Sequence, residues 1–196
     1  MPAMQFERGD FMAEGDSMTY IPLLPFGLRG IDDRDFDTLL GRMFLDGHPD
    51  AKAPADFASI STPADDNLNP YLRAYQEDFA ARAQWCAHDP AACSHPAHVV
   101  EVTADRSATA GERVNLTATI VDPDGKGFDV HWDVAVDPSS YAGAQDLSLW
   151  QECTVDTAFI VPADARPGDR LVLTLTVQTR AERPCSRYAQ VAVTVA

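Results

Sequence analysis

From His98 onward the chain is written in short alternating runs. HVVEVTA, RVNLTATIV, FDVHWDVAV, TAFIVP, RLVLTLTVQ and RYAQVAVTV place apolar side chains at alternate positions, the pattern of strands with one buried face. In RLVLTLTVQ, Leu171, Leu173, Leu175 and Val177 share one face, while Thr174, Thr176 and Gln178 share the other. The first face is expected to be core and the second wet. Trp132 is in phase with Val130 and Val134, so it is expected to fill the interior. DPDGKG, DPSSYAG and DARPGD separate the runs as turns.

About six or seven short strands at this spacing predict an all-β sandwich of immunoglobulin type over residues 93–196. The text before it is different. NPYLRAYQEDFAARAQWC, Asn69 to Cys86, predicts a helix with Asn69 as cap and Pro70 at its first position. Leu72, Tyr75, Phe79, Ala83 and Cys86 recur at helical spacing and form one apolar stripe. MTYIPLLPFGLRG is broken by Pro22 and Pro25 and reads as loop or edge. IDDRDFDTLLGRMF could start a helix, with acids in its first turn. Gly47 to Asn69 reads as a long surface excursion. The roughly seventy residues before the helix hold too few strands to give it a sheet to lean on, so a further body is expected: a missing N-terminal half or a partner chain.

Composition narrows the function. Of 196 residues, 30 are acidic and 15 basic, for a net charge of −15. Such a surface repels phosphates, which argues against nucleic acid as a partner. No apolar run approaches the length of a membrane span. The first residues, MPAMQFERGDFMAEGD, lack the basic and apolar regions of a secretory signal. The cysteines nevertheless suit an oxidising space, extracellular or periplasmic.

Four cysteines, Cys86, Cys93, Cys153 and Cys185, allow three pairings. Cys86 and Cys93 lie in CAHDPAACSHPAH, which also carries three histidines. A local disulfide curling around Asp89-Pro90 is the favoured reading, with free thiols and a metal site as the alternatives. Cys153 and Cys185 fall at loop ends, where a bridge is plausible and would stabilise by roughly 3 kcal/mol.

Other chemistry is sparse. Asp122, Asp124 and Asp129 flank a glycine turn, where calcium is conceivable but a plain tight turn is more common. There is no Gly-x-Ser-x-Gly elbow. Trp150 and Tyr141 have no clear inward phase, which makes them the candidates for a platform that stacks on sugar rings, with a packing role as the more common alternative. Glu14 and Asp16 stand on alternate residues and in extended chain would share one face, as a pocket lip does, with an isolated acidic turn as the plain alternative.

Several segments resemble one bacterial family. EGDSMTYIPLLPFGLRG, GRMF, YQEDFAARAQWC, VDPDGKGFDVHWDV, SYAG and FIVPADARPGD are similar to motifs of proteins that carry a nucleoside-hydrolase-like domain followed by an immunoglobulin-like one. Members of that family are described as cellulose-binding. The matching positions are Glu14 to Ser17, Pro25 to Leu28, Gly41 and Arg42 with Phe44 displaced by one, and Asp78 to Cys86. The likeness runs over almost all of residues 9–196.

The resemblance implies an α+β chain. Residues 1–92 would be the C-terminal part of an α/β nucleoside-hydrolase-like domain, and 93–196 an immunoglobulin-like sandwich. It also implies a polysaccharide or nucleoside-like ligand, with Asp16 as one calcium ligand in the complete parent domain. Nucleoside hydrolases hold calcium with Asp-x-Asp-x-x-x-Asp-Asp plus a later aspartate. This chain has no such cluster; DDRDFD, Asp32 to Asp37, has the composition but not the order. One carboxylate cannot supply the roughly six to eight oxygens that calcium takes. The expectation is therefore a chain without catalysis of its own and with no cofactor by itself, contributing a carbohydrate-associated part. The alternative is a subunit of a calcium-dependent N-ribosyl hydrolase completed by another half.

Overall fold

The structure is a computed structural model that describes residues 23–30, 32–33, 36–39, 41–44, 59–60, 71–136 and 138–196. Glu14, Asp16, Asn69 and Pro70 lie outside the described residues. In chain order the elements begin with three short strands, β1 (Asp37–Thr38), β2 (Gly41–Phe44) and β3 (Ser59–Ile60), followed by helix α1 (Leu72–Trp85). Seven further strands follow: β4 (His98–Val102), β5 (Arg106–Ala108), β6 (Arg113–Val121), β7 (Phe128–Val134), β8 (Asp156–Ile160), β9 (Arg170–Thr179) and β10 (Ser186–Val195). The first three form an antiparallel sheet in the order β1-β2-β3. Within IDDRDFDTLLGRMF, expected to start a helix, Asp37–Thr38 and Gly41–Phe44 are strands instead. Asp33 reaches across the chain to Arg170 at 3.2 Å.

The alternating half forms two sheets, β5-β10-β9-β7 and β4-β6-β8. Apart from the parallel β5–β10 pair, their strands run antiparallel to their neighbours. The inward face of β9 is as the pattern predicts: Leu171, Leu173, Leu175 and Val177 are wholly buried. They pack with Val114 and Leu116 of β6, Phe159 of β8, and Val191 and Val193 of β10. Trp132 fills this interior, as its phase required.

The other face of β9 corrects the expectation. It is not wet. Val172 and Thr174 are buried, and β10 is buried on both sides along nearly its whole length. The cover comes from the N-terminal half. Phe36 is fully buried against Val172 and Ala192, with the guanidinium carbons of Arg29 and Arg170 at 3.9 and 4.5 Å from its ring centroid. Phe26 lies beneath Arg187 at 4.5 Å. Between them a strap of backbone, Pro25 to Arg29, runs against β10. The Tyr188 amide donates to Phe26 O at 2.7 Å, and the Arg29 amide donates to Gln190 Oε1 at 2.9 Å. Gly27 sits at φ +92, where a Cβ would stand 1.9 Å from Tyr188 O. Only glycine permits that approach.

The same sheet receives α1. Its buried face is Tyr71, Ala74, Tyr75, Asp78 and Ala81, not the predicted stripe. Tyr75 belongs to both sets, but Phe79 is 50% exposed and Ala83 and Cys86 are exposed. The stripe failed because it omitted a polar residue. Asp78 lies at the centre of the docked face, 2.9 Å from Arg187 Nη1. Tyr71 meets Tyr188 edge to face with centroids 5.0 Å apart. The helix was expected to need a body from elsewhere; β10 of its own chain provides one.

Candidate functional site

Tyr141 and Trp150, set apart in the sequence as possible platform residues, line one open cavity of about 340 Å³. Gly143, Asp146, Leu147, Ser148, Ile160 and Pro162 complete its wall. Trp150 precedes β8 in the chain but pairs with it. Its amide donates to Ala158 O at 2.8 Å, and its carbonyl accepts from Thr157 Oγ1 at 2.6 Å. The backbone is therefore held while the indole stays 48% exposed. Arg113 of β6 is not part of the cavity wall; its guanidinium carbon sits 5.0 Å from the indole centroid and backs the ring.

Tyr141 is fixed from two sides. Its ring lies over Gly143, where an added Cβ would come within 2.8 Å of it. Its hydroxyl donates to Asp164 Oδ1 at 2.7 Å. That bond, with the Asp164 charge, holds the phenol above its ordinary pKa. SYAG and the PAD of FIVPADARPGD, distant in sequence, are joined by this contact. Two aromatic faces, an apolar edge from Ile160 and Pro162, and nearby carboxylates suit a ring with apolar CH faces and hydroxyl rims.

A second cavity of about 400 Å³ lies between α1 and β4, lined by Pro25, Arg82, Trp85, His95, Pro96, His98, Pro123 and Arg187. Its polar groups are largely committed to structure. Arg82 and Arg187 both reach Asp78. His95 stacks on Trp85 at 5.2 Å and binds Asp124 through its ring Nδ1 at 2.8 Å and its amide at 2.9 Å.

Those bonds decide the aspartate turn as well. Although burial opposes it, the His95 contacts hold the Asp124 carboxyl below its usual range. Asp122 accepts from the amides of Asp124 and Gly127, and Asp129 pairs with Arg180. These carboxylates build a turn. They do not fit calcium, which needs about six to eight converging oxygens.

The expected disulfides are not formed; all four cysteines are free thiols. Cys86 is exposed beyond the end of α1, whereas Cys93 is turned inward, with its Sγ 3.4 Å from Asp89 O. Cys153 is exposed, with Sγ 3.6 Å from His131 Nδ1, while Cys185 is buried and its Sγ faces Arg183 O. Among the described residues no helix is long and apolar enough to cross a membrane. Sequence reasoning missed Asp164, Gly143 and Arg113. The glycine two places after Tyr141 was the one local signal; the others depend on strand pairing.

The fold recurs in a known structure. A nucleoside hydrolase-related hypothetical protein from Saccharophagus degradans, associated with carbohydrate metabolism, superposes with a TM-score of 0.75 at 20% identity. The match covers 95% of this chain and 49% of that one. The chain shares its fold with half of that protein. Two titin structures also match. The titin M10–obscurin-like 1 Ig complex has a TM-score of 0.33 at 19% identity, covering 52% of this chain and 94% of that one. A chimeric titin Z1Z2 has a TM-score of 0.32 at 11% identity, covering 53% of this chain and 99% of that one. At such scores neither bears on the fold. No family model matches the sequence, and no curated protein matches it.

Proposed function

We propose that this chain is the carbohydrate-associated portion of a nucleoside hydrolase-related protein, without catalysis of its own, and that it holds a sugar unit of a polysaccharide between Trp150 and Tyr141. In this reading residues 93–196 act as an immunoglobulin-like module, and residues 1–92 belong to the hydrolase-like part. The observation that carries it is the convergence of the two aromatics on one cavity, each ring braced from outside that cavity or beneath it. A braced ring loses little freedom when a sugar stacks on it. The association of the Saccharophagus degradans protein with carbohydrate metabolism agrees with this.

Retention on insoluble cellulose and calorimetry with soluble β-glucan oligosaccharides test the reading. Binding should weaken about ten-fold or more in Trp150→Ala, the loss of roughly 1.4 kcal/mol. If the unaltered chain binds none of these glucans, or Trp150→Ala binds as well as it does, the proposal fails. A second reading keeps the enzyme, as a calcium-dependent N-ribosyl hydrolase completed by another half. It is favoured by the 49% coverage of a hydrolase-related chain. Ribosyl release on adding such a half with Ca²⁺ would support it, and a stable but inactive complex would remove it.

A further inference from the structure

Three side chains outside both cavities converge in a way that neither reading uses. His131 of β7 and the adjoining Glu152 and Cys153 each offer a ligand atom, all within 4.8 Å of one another. We propose that they form a binding site for a thiophilic divalent transition metal of the zinc class.

The separation of the two strongest ligands fits. With Zn–S near 2.3 Å and Zn–N near 2.0–2.1 Å, two ligands of one tetrahedral ion stand about 3.5–3.6 Å apart. Cys153 Sγ and His131 Nδ1 are 3.6 Å apart. A thiol–imidazole hydrogen bond could give the same spacing, but it has no need of a carboxylate as third neighbour.

The imidazole is also oriented for the task. His131 Nε2 lies 3.0 Å from Asp133 Oδ1, two residues along the same strand. A carboxylate there favours the tautomer protonated on Nε2 and leaves the Nδ1 lone pair facing the thiol. Outer carboxylates of this kind set the ring of metal-bound histidines.

The loop is built to bring its ligands to the strand. Gln151 stands at φ +57, a conformation that side chains other than glycine adopt rarely. The reversal is braced by Thr154, whose amide donates to Gln151 O at 3.1 Å and whose hydroxyl donates to Asp156 O at 2.5 Å. It is latched to β7 where the Trp132 amide donates to Glu152 O at 2.8 Å. Glu152 and Cys153 are exposed while His131 is half-buried, so three protein ligands leave a fourth position open to water or to a donor from a ligand or partner. The donor set of one sulfur, one nitrogen and one carboxylate excludes calcium and suits zinc or cobalt.

Cobalt(II) alone, added to the full chain in a phosphine reductant, is the probe. The expected result is a thiolate-to-cobalt charge-transfer absorption, saturating at one equivalent, with tetrahedral ligand-field bands and displacement by zinc. Cys153→Ser should abolish the charge-transfer band, whereas Cys86→Ser, at the other exposed thiol, should leave it intact. Asp133→Asn should weaken cobalt affinity about ten- to a hundred-fold with the same spectrum. No charge-transfer band in the unaltered chain, its survival in Cys153→Ser, or its loss in Cys86→Ser would each overturn the proposal. Cys153 is at the surface, and unchanged circular dichroism in Cys153→Ser separates ligand loss from misfolding.

Discussion

Asp78 of α1 and Arg187 of β10 meet at 2.9 Å with side-chain exposures of 5% and 11%. This contact ties the helix to the sheet. Arg82, one helical turn on, donates to the other Asp78 oxygen at 2.5 Å. Removing one member of a buried pair strands the other charge and costs about 3–5 kcal/mol. Asp78→Ala should therefore lower the urea midpoint markedly, whereas the double change Asp78→Leu with Arg187→Met should recover most of the loss. Equal destabilisation by both would show that the pair does not hold the helix.

The thiols give a direct count. Cys86 and Cys153 are exposed and Cys93 and Cys185 are buried. A chromogenic disulfide reagent should titrate two thiols rapidly in the native chain and four after unfolding in guanidinium. Fewer than four in the unfolded chain would show that disulfides form after all.

Alkaline stability should fall in a defined window. Burial pushes the Cys185 thiol up to about 11 from 9.0, and the Tyr188 phenol up to about 12 from 10.0. Both groups keep their protons longer folded than unfolded. Their contribution is complete below pH 9 and is lost as pH rises through 11 and then 12. Denaturation midpoints should be flat from pH 7 to 8.5 and decline above pH 9. Cys185→Ala should make the first part of that decline shallower; an identical profile would rule out this thiol as its source.

The groove can be disturbed without touching its aromatics. Gly143→Ala places a Cβ within 2.8 Å of the Tyr141 ring, so the ring must tilt and its bond to Asp164 lengthen. Sugar affinity should drop while the thermal midpoint moves by only a few degrees. Tyr141→Phe removes the Asp164 bond but keeps the ring, and should retain more affinity than Gly143→Ala. The reverse order would mean that the hydroxyl, not the stacked face, makes the contact.

Gly27 tests the strap. Alanine there meets Tyr188 O at 1.9 Å and adopts a disfavoured φ of +92. Amide exchange at Tyr188, whose N–H donates to Phe26 O, should accelerate strongly in Gly27→Ala. Exchange in β6, which lies in the other sheet, should stay slow. Unchanged exchange at Tyr188 would show that the strap bears no load.

Local text determined much of this molecule. A period of two fixes which side of a strand is apolar, so the β9 face and the burial of Trp132 were legible from spacing alone. Turn residues marked where β6 gives way to β7. Tyr141 and Trp150 were picked out because they had no clear inward phase; Trp150 is half exposed, while Tyr141 packs in part against the core.

What the tertiary structure alone decided is which surfaces meet. Thr174 and Gln190 look like solvent-facing residues, yet they are covered because a strap and a helix from far upstream lie across them. The helix chose its face by charge as much as by apolarity, and a partner such as Arg187 over a hundred residues away leaves no mark on the helix's own periodicity. The same holds for Tyr141 with Asp164, and for His131 with Cys153. Contacts of this kind depend on strand order and register, which are set by the lowest free energy of the whole packed chain and not by any window of it.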